Sequence, residues 1–222
     1  MNQPIFITGV ERSGSTLIAK IFNICGVHAG LVSTMYENIG IKQMMDRFLY
    51  ENRNGSLFPD VKSQSISTTW KDRVLDILTA EGYTDGPWMC KSSRMGQMWP
   101  TWHYAFPNAR WIIVRRRTGD IIQSCVKTAY MSMFKDPSHL KQVGALTEEE
   151  GWKWWIHQYE KQFVEMIETG VNCRIVWPER MVTGDYQQIY ETLEWLGLTW
   201  STKIVETIDP MLTKSRRKTK WH

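Results

Sequence analysis

Gly9-Val10-Glu11-Arg12-Ser13-Gly14-Ser15-Thr16 places two glycines, one cation and three hydroxyls between the apolar run Ile5-Phe6-Ile7-Thr8 and a segment with helical spacing. That spacing is carried by Leu17, Ile18, Ile21, Phe22 and Cys25, and Gly26 follows as a natural stop. A strand, a glycine-containing turn and a helix in this order bring the first amides of the helix to one point. The helix dipole adds positive potential there, so the segment can cradle an anion such as phosphate. In the phosphoryl-transferring form of such a loop, a lysine precedes the last hydroxyl and reaches the outer phosphates. Here Ser15 stands in that place and the loop's cation is Arg12. Without the lysine, a transferring phosphoryl group loses its main counter-charge.

A second set of residues suits a second anion. Arg110-Trp111-Ile112-Ile113-Val114 is the clearest buried strand in the chain, and Arg115, Arg116 and Arg117 follow it directly. A guanidinium is always charged, and its fork matches phosphate oxygens in pairs, which suits Arg116 to that task. Ser124 lies about two turns into the next helix and can add a hydroxyl donor. Lys91 sits at the end of a third apolar run, Trp88-Met89-Cys90. These residues leave three readings open: a group transferase without the lysine, a P-loop kinase in which Arg12 replaces it, and a non-catalytic nucleotide-binding module.

The elements that must position them alternate. Helical patterns cover Val74 to Leu78, ending near Gly82, and Ile121 to Val126, opened by Thr118 and Asp120. Thr147 to Glu150 form a capping box for a long helix whose stripe is Trp152, Trp155, Ile156, Tyr159, Phe163 and Met166. Arg174 to Trp177 read as a strand, and Asp185 caps a helix running through Ile189, Leu193 and Leu196 to Gly197. Residues 52–69 read as a loop or lid and 132–146 as a mobile segment. Such alternation predicts an α/β fold, a single-domain parallel sheet flanked by helices over residues 1–222.

With 42% hydrophobic and 23% charged residues, intrinsic disorder is excluded. No apolar run reaches the ~20 residues of a membrane span. Cys25, Cys90, Cys125 and Cys173 stand singly in apolar segments, which places the chain in a reducing, cytoplasmic compartment with no secretory leader. The net charge of +4 is concentrated in residues 214–222, where Lys214, Arg216, Arg217, Lys218 and Lys220 leave the remainder near neutral. A near-neutral body with one basic tail does not suit nucleic acid. Most of the twelve tryptophans read as packing, although Trp99, Trp102, Trp152 and Trp155 could stack on an acceptor.

At this point the residues resemble the sulfotransferase family. Val10 to Leu17 is similar to its 5′-phosphosulfate loop, usually Pro-Arg/Lys-Ser-Gly-Thr/Ser-Thr-Leu. The strand ending at Arg116, with Ser124 eight positions later, is similar to its 3′-phosphate signature. Phe106-Pro107-Asn108-Ala109-Arg110 resembles the turn before that strand. Glu179-Arg180-Met181-Val182 and Leu193 to Leu198 resemble its carboxyl-terminal segments. The chain departs from the family at Glu11, where proline is usual, and at Ser93, where cytosolic members carry a histidine two residues after the lysine.

The resemblance implies a P-loop-type sulfotransferase fold and 3′-phosphoadenosine 5′-phosphosulfate as co-substrate, with no metal. It implies that Arg12, Ser13, Gly14, Ser15 and Thr16 bind the 5′ end and that Arg116 and Ser124 bind the 3′-phosphate. Arg12 and Lys91 would hold the leaving oxygen. Glu37, the only acid between Glu11 and Asp46, would be the base as in tyrosylprotein-type members, with His28 and His103 as alternatives. Arg216, Arg217 and Lys218 would close over the nucleotide. The acceptor would be a small molecule, carbohydrate or peptide, with neither nucleic acid nor membrane as partner.

Overall fold

Short apolar runs with no polar face belong in strands covered on both sides, and the computed structural model, which describes residues 3–59 and 68–208, contains four of them. β1 (Ile5–Thr8), β2 (Met89–Lys91), β3 (Arg110–Val114) and β4 (Cys173–Val176) form one parallel sheet in the order β2-β1-β3-β4. Ile7 is level with Lys91 on one side and with Ile112 on the other, and Val114 is level with Val176. The chain leaves β1 for one neighbour, β2, and then crosses to the other, β3. Loops from the carboxyl ends of β1 and β3 therefore part, which is where open α/β sheets hold ligands.

Ten α-helices lie among the described residues: α1 (Ser15–Ile24), α2 (Ile39–Glu51), α3 (Trp70–Ala80), α4 (Arg94–Gln97), α5 (Trp99–Ala105), α6 (Thr118–Lys127), α7 (Pro137–Val143), α8 (Glu148–Glu168), α9 (Pro178–Val182) and α10 (Gln187–Leu196). None is long and apolar enough to cross a membrane. Alternation along β1 sends Phe6 to one face and Ile5 and Ile7 to the other. Phe6 joins Cys90, Trp111 and Ile113 against α2, α3, α5 and α8. Ile5 and Ile7 join Met89, Ile112 and Val114 against α1 and α10.

Aromatic packing dominates the Phe6 side. The Phe6 ring lies edge-on to Trp102 and Trp111 at 5.0 Å, Phe106 at 5.5 Å and Trp88 at 5.8 Å, the geometry that ring quadrupoles favour. Trp99, Trp102, Trp152 and Trp155 are all buried, so they pack the core and offer no face to an acceptor. Cys90 and Cys125 are buried free thiols. Burial pushes the Cys90 thiol up and that of Cys125 up to about 12, leaving both protonated.

The strands and α1, α3, α6, α8 and α10 lie where the sequence pattern places them, but α2 has no counterpart in that pattern. α10 opens at Tyr186, one residue after the expected cap Asp185, which accepts from the Gln187 amide at 3.1 Å. Thr147 and Glu150 form the reciprocal capping box of α8, and Gly197 closes α10 at φ 70°. The segment 132–146 differs from expectation: it holds a 3-10 turn at Met133–Lys135 and then α7. Asp136 accepts from the Ser138 amide at 2.8 Å, Pro137 occupies the first turn and Gly144 ends the helix at φ 70°. The clearest signals for α7 are thus its caps, because it fully buries no residue and packs only Leu140 and Val143 against the core. Residues 60–67, within the expected lid, and 214–222, the basic tail, lie outside the described residues.

Replacing Phe6 with alanine removes the ring at the centre of this cluster. The expected cost is about 3–5 kcal/mol of unfolding free energy, read from denaturant midpoints. A midpoint within error of wild type contradicts the central place of Phe6.

Candidate active site

The loop after β1 is shaped by two close approaches. A Cβ on Gly9 would lie 2.4 Å from the carbonyl oxygen of Val114 and 2.7 Å from Ser13 Oγ, so only glycine lets the loop pass the end of β3. Gly14, in the left-handed region at φ 98°, caps α1 without a side-chain hydrogen bond, and the first turn of α1 holds no acid. The amides at the start of α1 are therefore not compensated by the loop's own side chains. Ser13 is 1% exposed, and its hydroxyl has no hydrogen-bond partner. An orphaned hydroxyl beside an uncompensated helix start fits an anionic group.

Arg12 has a positive φ of 68°. Its Nε donates to Ser124 Oγ at 2.9 Å and its Nη1 to the Tyr130 hydroxyl at 2.8 Å. Arg116 Nη1 donates to the Arg12 carbonyl at 3.2 Å and its Nε lies 3.8 Å from Glu179. Two guanidiniums and a hydroxyl from three segments thus share one corner of the loop. Of the neighbours of Arg116, Arg115 is paired with Glu160 and lies over Trp177, while exposed Arg117 is paired with Asp120 and shares Glu179 with Arg116.

Lys91 and Glu37 form the other side. Lys91 is 7% exposed; its Nζ donates to the Met35 carbonyl at 3.1 Å and lies 3.7 Å from Glu37 Oε1. Burial holds the Lys91 ammonium below the usual lysine value, against the opposing pull of Glu37 and Glu11. The Thr16 hydroxyl donates to the same Met35 carbonyl at 3.1 Å, which ties this side to α1. Ser92 Oγ donates to Glu37 Oε1 at 3.1 Å, and Arg94 stands 3.9 Å from Oε2. Glu37 is aimed inward by a tight turn in which the Ser33 amide donates to the Glu37 carbonyl and Tyr36 takes φ 60°. Asn38 then caps α2 by accepting from the Ile41 amide at 2.9 Å.

Not every expected residue is brought here. The His28 backbone pairs with Trp88, ahead of β2 and at the opposite end of that strand from Lys91, and its ring packs on Tyr83. His103 lies on α5 beside Trp99. Neither histidine hydrogen-bonds a loop residue among the described residues. Arg12 was expected to share the leaving oxygen with Lys91, yet its guanidinium is turned to Ser124 and Tyr130. Arg216, Arg217 and Lys218 lie outside the described residues.

Sequence reasoning missed three participants. Tyr130 and Arg94 have no spacing signal, because they reach the site from a loop and a short helix. Glu11 had a signal that was not used: it and Ser93 both break the family pattern, and the Ser93 hydroxyl donates to Glu11 Oε1 at 2.6 Å.

Comparison with known proteins agrees with this fold. No curated protein matches the chain. Solved structures similar in fold include sulfotransferase STF9 from Mycobacterium avium, 12% identical with a TM-score of 0.58, covering 96% of this chain and 68% of that one. Sulfotransferase STF1 from Mycobacterium tuberculosis H37Rv is also 12% identical, with a TM-score of 0.50, covering 94% and 71% respectively. The model of the sulfotransferase family matches residues 4–202, a span that begins just before β1, ends beyond α10 and takes in both sides of the loop site, so this chain belongs to the sulfotransferase family.

Proposed function

We propose that this chain moves a sulfuryl group from 3′-phosphoadenosine 5′-phosphosulfate to the hydroxyl or amine of a small-molecule, carbohydrate or peptide acceptor. The observation that carries the reading is that one loop is joined to two separate polar groups. Arg12 reaches Ser124 on one side, and Thr16 shares the Met35 carbonyl with Lys91 on the other. A donor with anionic groups at both ends needs two such stations.

Each residue then has a task. The amides of Gly14 to Thr16 cradle the 5′-phosphate beside the Ser13 hydroxyl, and Arg116 and Ser124, with Arg12 beside them, hold the 3′-phosphate. Sulfuryl transfer, like phosphoryl transfer, is mostly positioning and charge stabilisation. As the sulfur–oxygen bond to the donor phosphate breaks, its electron pair stays on the phosphate oxygen, where Lys91 supplies positive charge. The acceptor oxygen bonds to sulfur, and its proton passes to Glu37. The sulfuryl group carries too little charge to need magnesium. Arg216, Arg217 and Lys218 would add charge over the nucleotide. The four free cysteines support a reducing, cytoplasmic setting.

The kinase reading has less support. β3, the strand beside β1, ends in three arginines, whereas magnesium-dependent P-loop enzymes place an aspartate on a strand to hold the metal. A thermal-shift panel separates the two. Adenosine 3′,5′-bisphosphate is expected to stabilise the protein without magnesium, by about 2.7 kcal/mol at a hundred times its Kd, and Arg116→Ala is expected to lose most of that shift. Stabilisation by ATP with magnesium and none by the bisphosphate contradicts the proposal.

The base is tested with labelled donor and pooled carbohydrates, phenols, lipids and peptides. Glu37→Gln keeps size and polarity but accepts no proton at neutral pH. Donor affinity should survive while transfer falls by roughly two to four orders of magnitude. Transfer within a few-fold of wild type, together with its loss in His103→Ala, moves the role to the histidine.

A further inference from the structure

Glu11 and Ser93, the two departures from the sulfotransferase pattern, touch each other, and more than a pair is involved. Glu11 Oε1 accepts from Ser93 Oγ at 2.6 Å and from the Tyr159 hydroxyl at 3.4 Å, while Oε2 accepts from Trp155 Nε1 at 2.8 Å. Gln97 Nε2 donates to the Tyr159 hydroxyl at 2.7 Å. Burial, and then the charge of Glu11, pushes the Tyr159 phenol well above its ordinary value, so it remains a protonated donor. Ser93 is the N-cap and Gln97 the last residue of α4, and Trp155 and Tyr159 lie one turn apart on the buried face of α8. Three neutral donors satisfy this carboxylate, and a proline in its place could bond none of them.

The neighbours of Glu11 show what the arrangement serves. Arg12, the next residue, holds the left-handed conformation at φ 68°, which a non-glycine residue keeps only where its surroundings enforce it. Glu11 restrains the loop before Arg12, and the bonds to Ser124, Tyr130 and Arg116 restrain it after. Lys91, on the other side, feels Glu37 and Glu11 as carboxylates, Arg94 as a like charge and the Cys90 thiol on its own strand. We propose that Glu11 is a positioning residue of the phosphate loop: its carboxylate latches the loop to α4 and α8, keeping Arg12 in place on one side and balancing the charge of Lys91 on the other. Its purpose rests on the sulfuryl-transfer reading. The role of base stays with Glu37, which lies 3.7 Å from Lys91.

The Glu11 carboxylate bonds Ser93, two residues beyond Lys91, and opposite charges fix the sign of its effect on the ammonium. Burial and Arg94 disfavour the Lys91 ammonium, and the two carboxylates favour it. Removing the charge of Glu11 leaves Glu37 alone, so Lys91 loses its proton at lower pH and anion binding fails earlier as pH rises. Lysines labelled with 13C at Cε report this in the ligand-free protein, with Lys91→Met to assign the signal. In Glu11→Gln the Lys91 midpoint is expected to fall, and affinity for adenosine 3′,5′-bisphosphate to drop roughly three- to tenfold. Trp155→Phe removes one donor but no charge. It should weaken the bisphosphate while leaving the Lys91 midpoint in place.

A lower melting temperature with both readouts unchanged makes Glu11 a packing residue and overturns the proposal. So does a Glu11→Gln protein that binds the bisphosphate normally yet transfers no label, because Glu11 is then the base. If Glu11→Gln does not fold, unchanged bisphosphate affinity in both Trp155→Phe and Ser93→Ala overturns it equally. Should the wild type bind no bisphosphate, the donor reading fails by itself, and the Lys91 titration still decides the latch.

Discussion

The backbone amides at the start of α1 have no intrahelical partners, and the structure around them is arranged so that no side chain of the loop compensates them. That condition depends on the 2.4 Å approach a Cβ at Gly9 would make to the Val114 carbonyl. With any larger residue at position 9, the loop would be pushed off the end of β3, and α1 would lose its place against the sheet. The parallel order β2-β1-β3-β4 follows the same logic, because it sets β1 between the strand that ends in Lys91 and the strand that leads into Arg116. Two cations from two strands can then flank one loop only at the carboxyl edge.

Burial gives these side chains their direction. Lys91 is nearly enclosed, so its ammonium is held by a carbonyl and a carboxylate and cannot drift as a surface lysine does. Arg116 is distinguished from its neighbours by its bond to the Arg12 carbonyl. Glu37 is placed by a tight turn that hydrogen-bonds to itself, not by a long element. The aromatic cluster around Phe6 supplies rigidity beneath β1, where flexibility would widen the loop.

Much of this was legible in the residues themselves. Short, mostly apolar strands, the capping box of α8 and the glycines after α1 and α10 each have a local cause that the sequence displays. Arg116 and Ser124 were legible as a spacing, although the spacing does not show that Arg12 bridges to Ser124. The contacts of Glu11 were not legible, because they join positions 11, 93, 155 and 159, which only the fold brings together. Tyr130 and Arg94 were hidden for the same reason. α7 was missed because its caps carry most of the signal and it only half-buries Leu140 and Val143. Local chemistry is written in local sequence, whereas the second layer of a site depends on packing.

The central claim is that one loop seats a nucleotide with an anionic group at each end, and the most direct measurement is a crystal structure with adenosine 3′,5′-bisphosphate. The 5′-phosphate is expected on the amides of Gly14 to Thr16, with the 3′-phosphate within hydrogen-bond distance of Arg116 and Ser124. A bisphosphate bound in the reverse sense, or bound away from Arg116 with the loop empty, would contradict the account.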